Sequence, residues 1–477
     1  MKNIFLTFIL FTFSAVLFAQ RNDTTLDITM QVVSWQEIVE YDRLHAPDSA
    51  RINARIATRH KGKVHPERST MLSEGLQSSD PHGVMEAKMR AASPLPTATF
   101  AGLGDNNNYI PSDVQGAAGP NHLMIALNTE FRIQNRAGMV LSTVSIFSFF
   151  SGFPTALPFD TRIVYDPYSK RWIIITASDD NMSTSSLIVA ASHSAGPTGN
   201  WNIYRIFVDP QNQTTWIDYP QIGLNKRWLT IAGAMYTIAS PPAVPQFSSA
   251  KFYIFDKASL YGGNSAPPFQ LINTSSMGEN MAPVFTHDTT TSSVFLLQNH
   301  NGNINGNGIL NLYKISGQLG SAVLTQVAQI NTPNPWADIP PQTDFAPQLN
   351  TTSKISLNDS RILDAVYRNH TIWGVHHIFL PVSNIARCAV QFWQIDTTGQ
   401  VIQRGRIDDQ SGGIFYGFPS MDVNCNDDVL IGFSTFSSTQ YASAAYAFRE
   451  GCDTLLWNAG GMWCFSIRSR LSSNCCR

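Results

Sequence analysis

Past Phe100 the acidic chemistry of the chain rests on aspartate, because only Glu130, Glu279 and Glu450 supply glutamate there. Breaking a glycosidic bond takes two carboxyl groups, one to protonate the leaving oxygen and one to attack or to activate water. Aspartates could serve instead, with Asp113, Asp160, Asp166 and Asp218 as the candidates. Aspartates so placed more commonly accept bonds from turn amides, so no catalytic residue is assigned. His122, His193, His287, His300, His370, His376 and His377 could move protons or bind a metal. His376 and His377 are adjacent, and successive strand residues point to opposite faces, so at most one of them faces a shared site. Core or edge histidines are the simpler reading. No Gly-x-Ser-x-Gly, His-Glu-x-x-His or Gly-x-x-x-x-Gly-Lys-Ser/Thr run occurs, which removes the usual signals of three large enzyme classes.

Asp422, Asn424, Asn426 and Asp428 put oxygen side chains at alternate positions, as calcium loops do. The run lacks the glycine at its sixth position and the bidentate acid at its twelfth. A tight hairpin explains the same residues, and a structural calcium is the second expectation; no other cofactor is indicated. The six cysteines, Cys388, Cys425, Cys452, Cys464, Cys475 and Cys476, form no Cys-x-x-Cys pair. They point to disulfides or free thiols in preference to zinc.

The elements that must position these groups are read from a recurring pattern, a polar turn leading into bulky apolar residues. It stands at Asn121-His122 before LMIAL, Asp166 before RWIII, Asn225 before RWLTIAG, Asp288 before VFLL, Arg368-Asn369 before TIWGV and Asp422 before VLIGF. Between these turns, FRIQNRAG at Phe131, FYIFDKAS at Phe252, NLYKISG at Asn311 and QFWQIDTTG at Gln391 read as strands ending in hairpin turns. Each unit holds at least two strands and has room for four. Four-stranded units at a regular repeat are propeller blades. One such sheet cannot bury both faces alone, whereas a ring packs every sheet between two neighbours.

The ends differ from this body. Met1-Lys2-Asn3, an apolar run from Ile4 to Phe18 and Ala19 read as a signal peptide cut after Ala19. The apolar run is shorter than a spanning helix needs. Residues 20–96 crowd Arg43, Arg51, Arg55, Arg59, Lys61, Lys63 and Arg68. Trp35, Ile38, Leu44 and Ile52 hint at a helix in this leader, which is otherwise a linker. Residues 451–477 form an atypical Cys-rich tail without blade rhythm. The formal net charge of −2 gives no pull toward nucleic acid or an anionic membrane.

The ordered runs IPSDVQGAAGPNHLMIALN, VYDPYSKRWIII, SAGPTGNWNIYRI, IDYPQIGLNKRWLTI, VYRNHTIWGVHH and YGFPSMDVNCNDDVLIGFS, spanning about 100–450, resemble a family of secreted bacterial propeller-like proteins of unassigned function. The resemblance implies secretion and the fold, and brings no site residues. The sialidase turn Ser-x-Asp-x-Gly-x-Thr-Trp is not kept: SAGPTGNW has Ser194 and Trp201, but Gly196, Thr198 and Asn200 replace the other members.

The expected architecture is all-β. It is a propeller of about six to seven four-stranded blades over residues 97–450, incomplete at its C-terminus, behind a partly helical or disordered leader. Equivalent turns of different blades converge on one face of a ring, so Asp113, His122, Asp160, Asp218, Tyr219 and His376 are expected to line a shallow polar pocket there. The expected function is that of a secreted or cell-surface protein binding an extracellular glycan or protein through its loops. The alternative is a carbohydrate-active hydrolase or lyase of sialidase-like architecture working with aspartates.

Overall fold

The computed structural model describes residues 21–23, 27–45, 93–104, 111–451 and 468–470, with parts of 63–86 and 106–109. The expected signal peptide, Ile52 of the expected helix, and Cys452, Cys464, Cys475 and Cys476 lie outside the described residues.

Strands dominate and helices are few and short. The first meander runs Gln115–Ala118, His122–Ala126, Glu130–Asn135 and Val140–Ser145. The second runs Pro158–Asp166, Arg171–Ser178, Ser186–Ser192 and Asn200–Phe207. The third holds Thr215–Leu224, Trp228–Thr237, Phe247–Asp256 and Phe269–Thr274. The fourth holds Ala282–Pro283, Val294–Ile304, Asn307–Ser316 and Val323–Thr332. The fifth holds Asp364–Arg368, Thr371–Leu380, Arg387–Asp396 and Val401–Ile407. The last holds Phe415–Val423, Val429–Ser437 and Gln440–Arg449, with Arg468–Arg470 pairing beside it.

This is a β-propeller arrangement, but its separate sheets are fewer than the six to seven blades the repeat turns suggest. Four sheets of four or five strands stand apart. The third and fifth meanders are merged into one eleven-stranded sheet, so Trp228 and Trp373 share a sheet while Trp172 does not. The merger has a small cause: Phe285–Thr286 lies parallel to both Leu224 and Val366, bridging the first strands of two meanders.

Packing explains the sequence pattern. In Arg171–Ser178 every residue after Arg171 is buried, as is all of Ser186–Ser192. Strands covered on both faces read as continuous apolar runs, with no alternation to find. One cluster joins the first two meanders around Phe131, Phe149, Trp172 and Trp201. Another joins the second and third around Trp216, Leu229 and Tyr253. The last meander differs: in Phe415–Val423 burial alternates, and Phe418 and Leu430 are exposed. The expected incomplete closure turns on the residues after Leu455, which lie outside the described residues apart from Arg468–Arg470.

The leader is built onto the sheet edges. Arg21–Asp23 pairs antiparallel with Phe269–Thr274 of the third meander, and Ile28–Ser34 with Asn200–Phe207 of the second. The helix Trp35–Leu44 follows, opened by a capping box in which Ser34 and Glu37 satisfy each other's amides. Trp35 and Ile38 are buried, and Trp35 Nε1 donates to Ser142 Oγ of the first meander at 3.0 Å. Gln77–Ser79 and Met85–Glu86 then add parallel edge strands to the fourth and fifth. Ser93 Oγ accepts from Phe448 N of the last meander, and Gly102 O from Arg132 of the first. An outermost strand leaves a row of backbone groups unpaired, and the leader covers those rows.

Candidate functional site

The first strands of the meanders share a backbone feature. Asp160, Tyr219 and Phe418 sit in them with φ of 52°, 48° and 51°. Asp113 and Asn280 hold the same left-handed conformation, φ 46° and 59°, just before the first strands of the first and fourth meanders. In the second, third and last meanders the ladder slips at this residue. In two cases a proline follows, Pro220 after Tyr219 and Pro419 after Phe418; proline has no N–H for the ladder and is tolerated at a bulge. A bulge re-aims the side chains beside it, and here it gathers groups from several strands.

Asp113, Asp160 and Asp218 are brought into one electrostatic cluster. Asn128 links the first two, donating from Nδ2 to Asp113 Oδ2 at 2.5 Å while its Oδ1 accepts from Asp160 N at 3.0 Å. Burial first, then repulsion from Asp113 and Asp218, holds the Asp160 carboxyl well above the ordinary carboxylate range, against the pull of Lys63 and Arg162. Tyr219 lies between two cations: the Arg361 guanidinium is 4.3 Å from its ring centroid and that of Arg162 is 5.0 Å. Its hydroxyl has no hydrogen-bond partner among the described residues.

The cluster continues around the centre. Arg361 grips Asp359 through two bonds of 2.6 and 2.9 Å. Burial would raise the Asp359 pKa, but Arg361 and Arg68 hold it far below the usual range. Tyr236 donates a short hydrogen bond to Glu279 Oε2, and His65 Nδ1 lies 2.7 Å from Glu279 Oε1. Lys63 Nζ lies 2.6 Å from Asp218 Oδ2 and 4.9 Å above the Trp216 ring. Asp338 accepts from Ser360 Oγ at 2.6 Å and meets Arg68 at 2.8 Å.

Two members of the expected pocket lie elsewhere. His122 begins its strand at the end remote from Asn128 and faces the Ser194–Gly199 loop, where a Cβ added at Gly196 would come 3.8 Å from its ring. Turns at both ends of a meander look alike in sequence, and His122 belongs to the other end. His376 is fully buried. Its Nδ1 bonds Ser360 O at 2.9 Å and its Nε2 accepts from Trp393 Nε1 at 3.0 Å. Burial lowers its pKa to about 3, so it is a neutral core histidine that braces Ser360 from behind.

Of the loop expected to hold a cation, Asp422 Oδ1 faces His287 Nε2 at 3.1 Å. Asn424 Oδ1 accepts from the amides of Asn426 and Asp428 and its Nδ2 donates to Asp428 Oδ2 at 2.7 Å, closing a hairpin. No group of three or more His, Cys, Asp or Glu is arranged to hold a metal among the described residues.

Sequence reasoning passed over Arg162, Tyr236, Asp338, Asp359 and Arg361. One signal was present: Asp160-Thr161-Arg162 and Asp359-Ser360-Arg361 repeat the same order, an acid, a hydroxyl and an arginine. Both arginines end on Tyr219.

No family model matches the sequence, and no curated protein matches it. Among solved structures the chain is similar to an alpha-L-arabinanase from Penicillium chrysogenum at TM-score 0.40 and 10% identity, over 78% of this chain and 99% of that one. It is similar to an alpha-L-arabinofuranosidase from Lactobacillus brevis at TM-score 0.30 and 8% identity, over 65% and 93%. An acylaminoacyl peptidase gives 0.35 and 11%, over 74% of this chain and 51% of that chain. Neighbours this distant differ in chemistry, so a functional reading has to come from the site.

Proposed function

We propose that the chain is a carbohydrate-active hydrolase whose chemistry is done by carboxyl groups at the centre of the propeller face. The observation that carries this reading is Asp160, whose carboxyl is pushed well above the usual range by burial and by its neighbours Asp113 and Asp218. Carboxyl groups whose environments push their pKa values apart divide the work: the one kept protonated serves as general acid, and an ionised partner as base or nucleophile. Asp160 is the acid in this scheme, and Asp218 or Asp113 the base or nucleophile. Tyr219 offers a ring and a free hydroxyl at the same place.

The test is a panel of chromogenic glycosides and oligosaccharides with the purified protein, alongside Asp160→Asn. The expected result is turnover of at least one substrate, lost by about 10²- to 10⁴-fold in Asp160→Asn, the range for a positioned acid, with glycan binding retained. Binding on a glycan array without turnover of any substrate would overturn the hydrolase and return the chain to a binding module. Secretion is part of the same proposal and is checked by mapping the N-terminus of the exported protein.

A further inference from the structure

Three basic side chains of the leader lie on the candidate site, each on a different acid. Lys63 reaches Asp218 in the first strand of the third meander at 2.6 Å. His65 reaches Glu279, just before the fourth, at 2.7 Å. Arg68 reaches Asp338 at 2.8 Å and Asp359 at 3.8 Å, both between the fourth and fifth. Asp218 comes from the third meander and the other acids from the connections on either side of the fourth. Anchors flank this stretch of the leader. Upstream, Trp35–Leu44 packs against the first meander, and downstream, Gln77–Ser79 pairs with the outer edge of the fourth. Between these anchors in sequence, Lys63, His65 and Arg68 lie on the acids.

The three basic side chains are more exposed than the acids they meet. They are 24%, 45% and 25% exposed, whereas Asp218, Glu279 and Asp359 are 11%, 9% and 10% exposed. The ammonium of Lys63 also covers the rings of Trp216 and Tyr236, at 4.9 and 5.5 Å. A sugar entering from solvent would meet Lys63, His65 and Arg68 before any of these groups.

We propose that the leader residues Lys63, His65 and Arg68 form an autoinhibitory strap that neutralises and covers the acids of the site until it is displaced. This rests on the hydrolase reading for what the site does, but the covering can be measured without any substrate. Ion pairs at partly exposed positions are individually weak, so a strap held by these four contacts is displaceable, unlike the deeply buried pairs that hold the sheets together.

The experiment labels carboxylates of the full chain with a water-soluble carbodiimide and glycine methyl ester and reads modified residues by peptide mass mapping. Lys63→Gln/His65→Gln/Arg68→Gln is compared with the unaltered chain, normalised to the exposed Asp344. The expected result is a rise of about two- to five-fold at Asp218 and Glu279, the gain from releasing weak ion pairs. Unchanged labelling at both would overturn the strap. Should the triple variant fold poorly, Lys63→Gln alone is read at Asp218, where the same rise is expected and its absence is equally decisive. Glycoside turnover is measured on the same samples. Raised labelling with no turnover in either sample supports the strap and overturns the hydrolase, whereas turnover with unchanged labelling does the reverse.

Discussion

Asp166 tests whether the repeat turns are structural keystones. It ends the first strand of the second meander, and its carboxylate, fully buried, accepts from Tyr168 N at 2.9 Å, Tyr261 Oη at 2.6 Å and Lys257 Nζ at 2.8 Å. Lys257 is itself 1% exposed and belongs to the third meander, so the pair ties two sheets together. Asp166→Ala leaves an ammonium in the interior with no counter-charge, a change that costs about 3–5 kcal/mol when one partner of a buried pair is removed. Burial lowers the Lys257 pKa even with Asp166 in place. Without the carboxylate it falls further, so the unfolded state binds the proton that the folded state sheds. The deficit should therefore be largest near neutrality and shrink as pH rises toward 10. Asp166→Leu/Lys257→Met removes both charges and should cost less than the two single changes together, by about 1–3 kcal/mol of coupling. Urea unfolding followed by tryptophan fluorescence at pH 7 and pH 9 measures all of this. A cost below about 1 kcal/mol for Asp166→Ala, or strict additivity in the double variant, would refute the argument.

Acid should unfold the protein through its adjacent buried histidines, His376 and His377. Burial lowers the pKa of His376 to about 3 and of His377 to about 4, against roughly 6.5 in the unfolded chain. Their contribution is intact above pH 6.5 and is lost as pH falls, reaching about 4 kcal/mol for the two at pH 5. His376→Gln should remove about half of the fall in urea midpoint between pH 7.5 and 5, and an unchanged fall would show that other groups govern it. Asp80, in the leader, sits 2.5 Å from Arg404 with both side chains fully buried, and the guanidinium lies 5.1 Å from the Trp393 ring centroid. Asp80→Ala should cost about 3–5 kcal/mol and open the leader to limited proteolysis; a variant as protease-resistant as the parent would mean the leader is not fastened there.

How much of this was legible follows from how local each feature is. Asp166 and Asn225 read correctly as turns because each caps its own turn, Asn225 Oδ1 accepting from Arg227 N and Trp228 N at 2.9 and 2.8 Å. The strands after them read correctly because burial on both faces writes an unbroken apolar run, as in RWIII. The merger of two meanders through Phe285–Thr286 was not readable, since two residues carry no period. The edge strands of the leader were hidden for the same reason, Gln77–Ser79 being a polar triplet. Asp113, Asp160 and Asp218, which the structure brings together, could be grouped from sequence because all three lie at turns or bulges. His376 was misplaced because strand alternation says that neighbours face opposite ways without saying which way leads to the centre. Asp359 and Arg361 were missed because their partners, Arg68 and Tyr219, are far away in sequence.

The strained positions give an independent reason to place the function here. Asparagine and aspartate enter the left-handed region at little cost, so Asp113, Asp160 and Asn280 could be ordinary turn residues. Tyr219 and Phe418 cannot be explained that way, because a bulky side chain at positive φ is a true outlier costing about 1–3 kcal/mol. Both precede a proline, both interrupt the first strand of a meander, and both bring a ring to a cationic or imidazole partner: Tyr219 to Arg162 and Arg361, Phe418 to His377 at 5.5 Å. A fold needing only stability could hold an asparagine or glycine at either position. Such strain persists when the position of the side chain matters more than the energy it costs. The two aromatic outliers occupy the equivalent bulge in different meanders, and Tyr219 sits among the groups that raise Asp160 and hold Asp359 ionised. The strain and the perturbed carboxyl groups therefore mark the same place on the molecule.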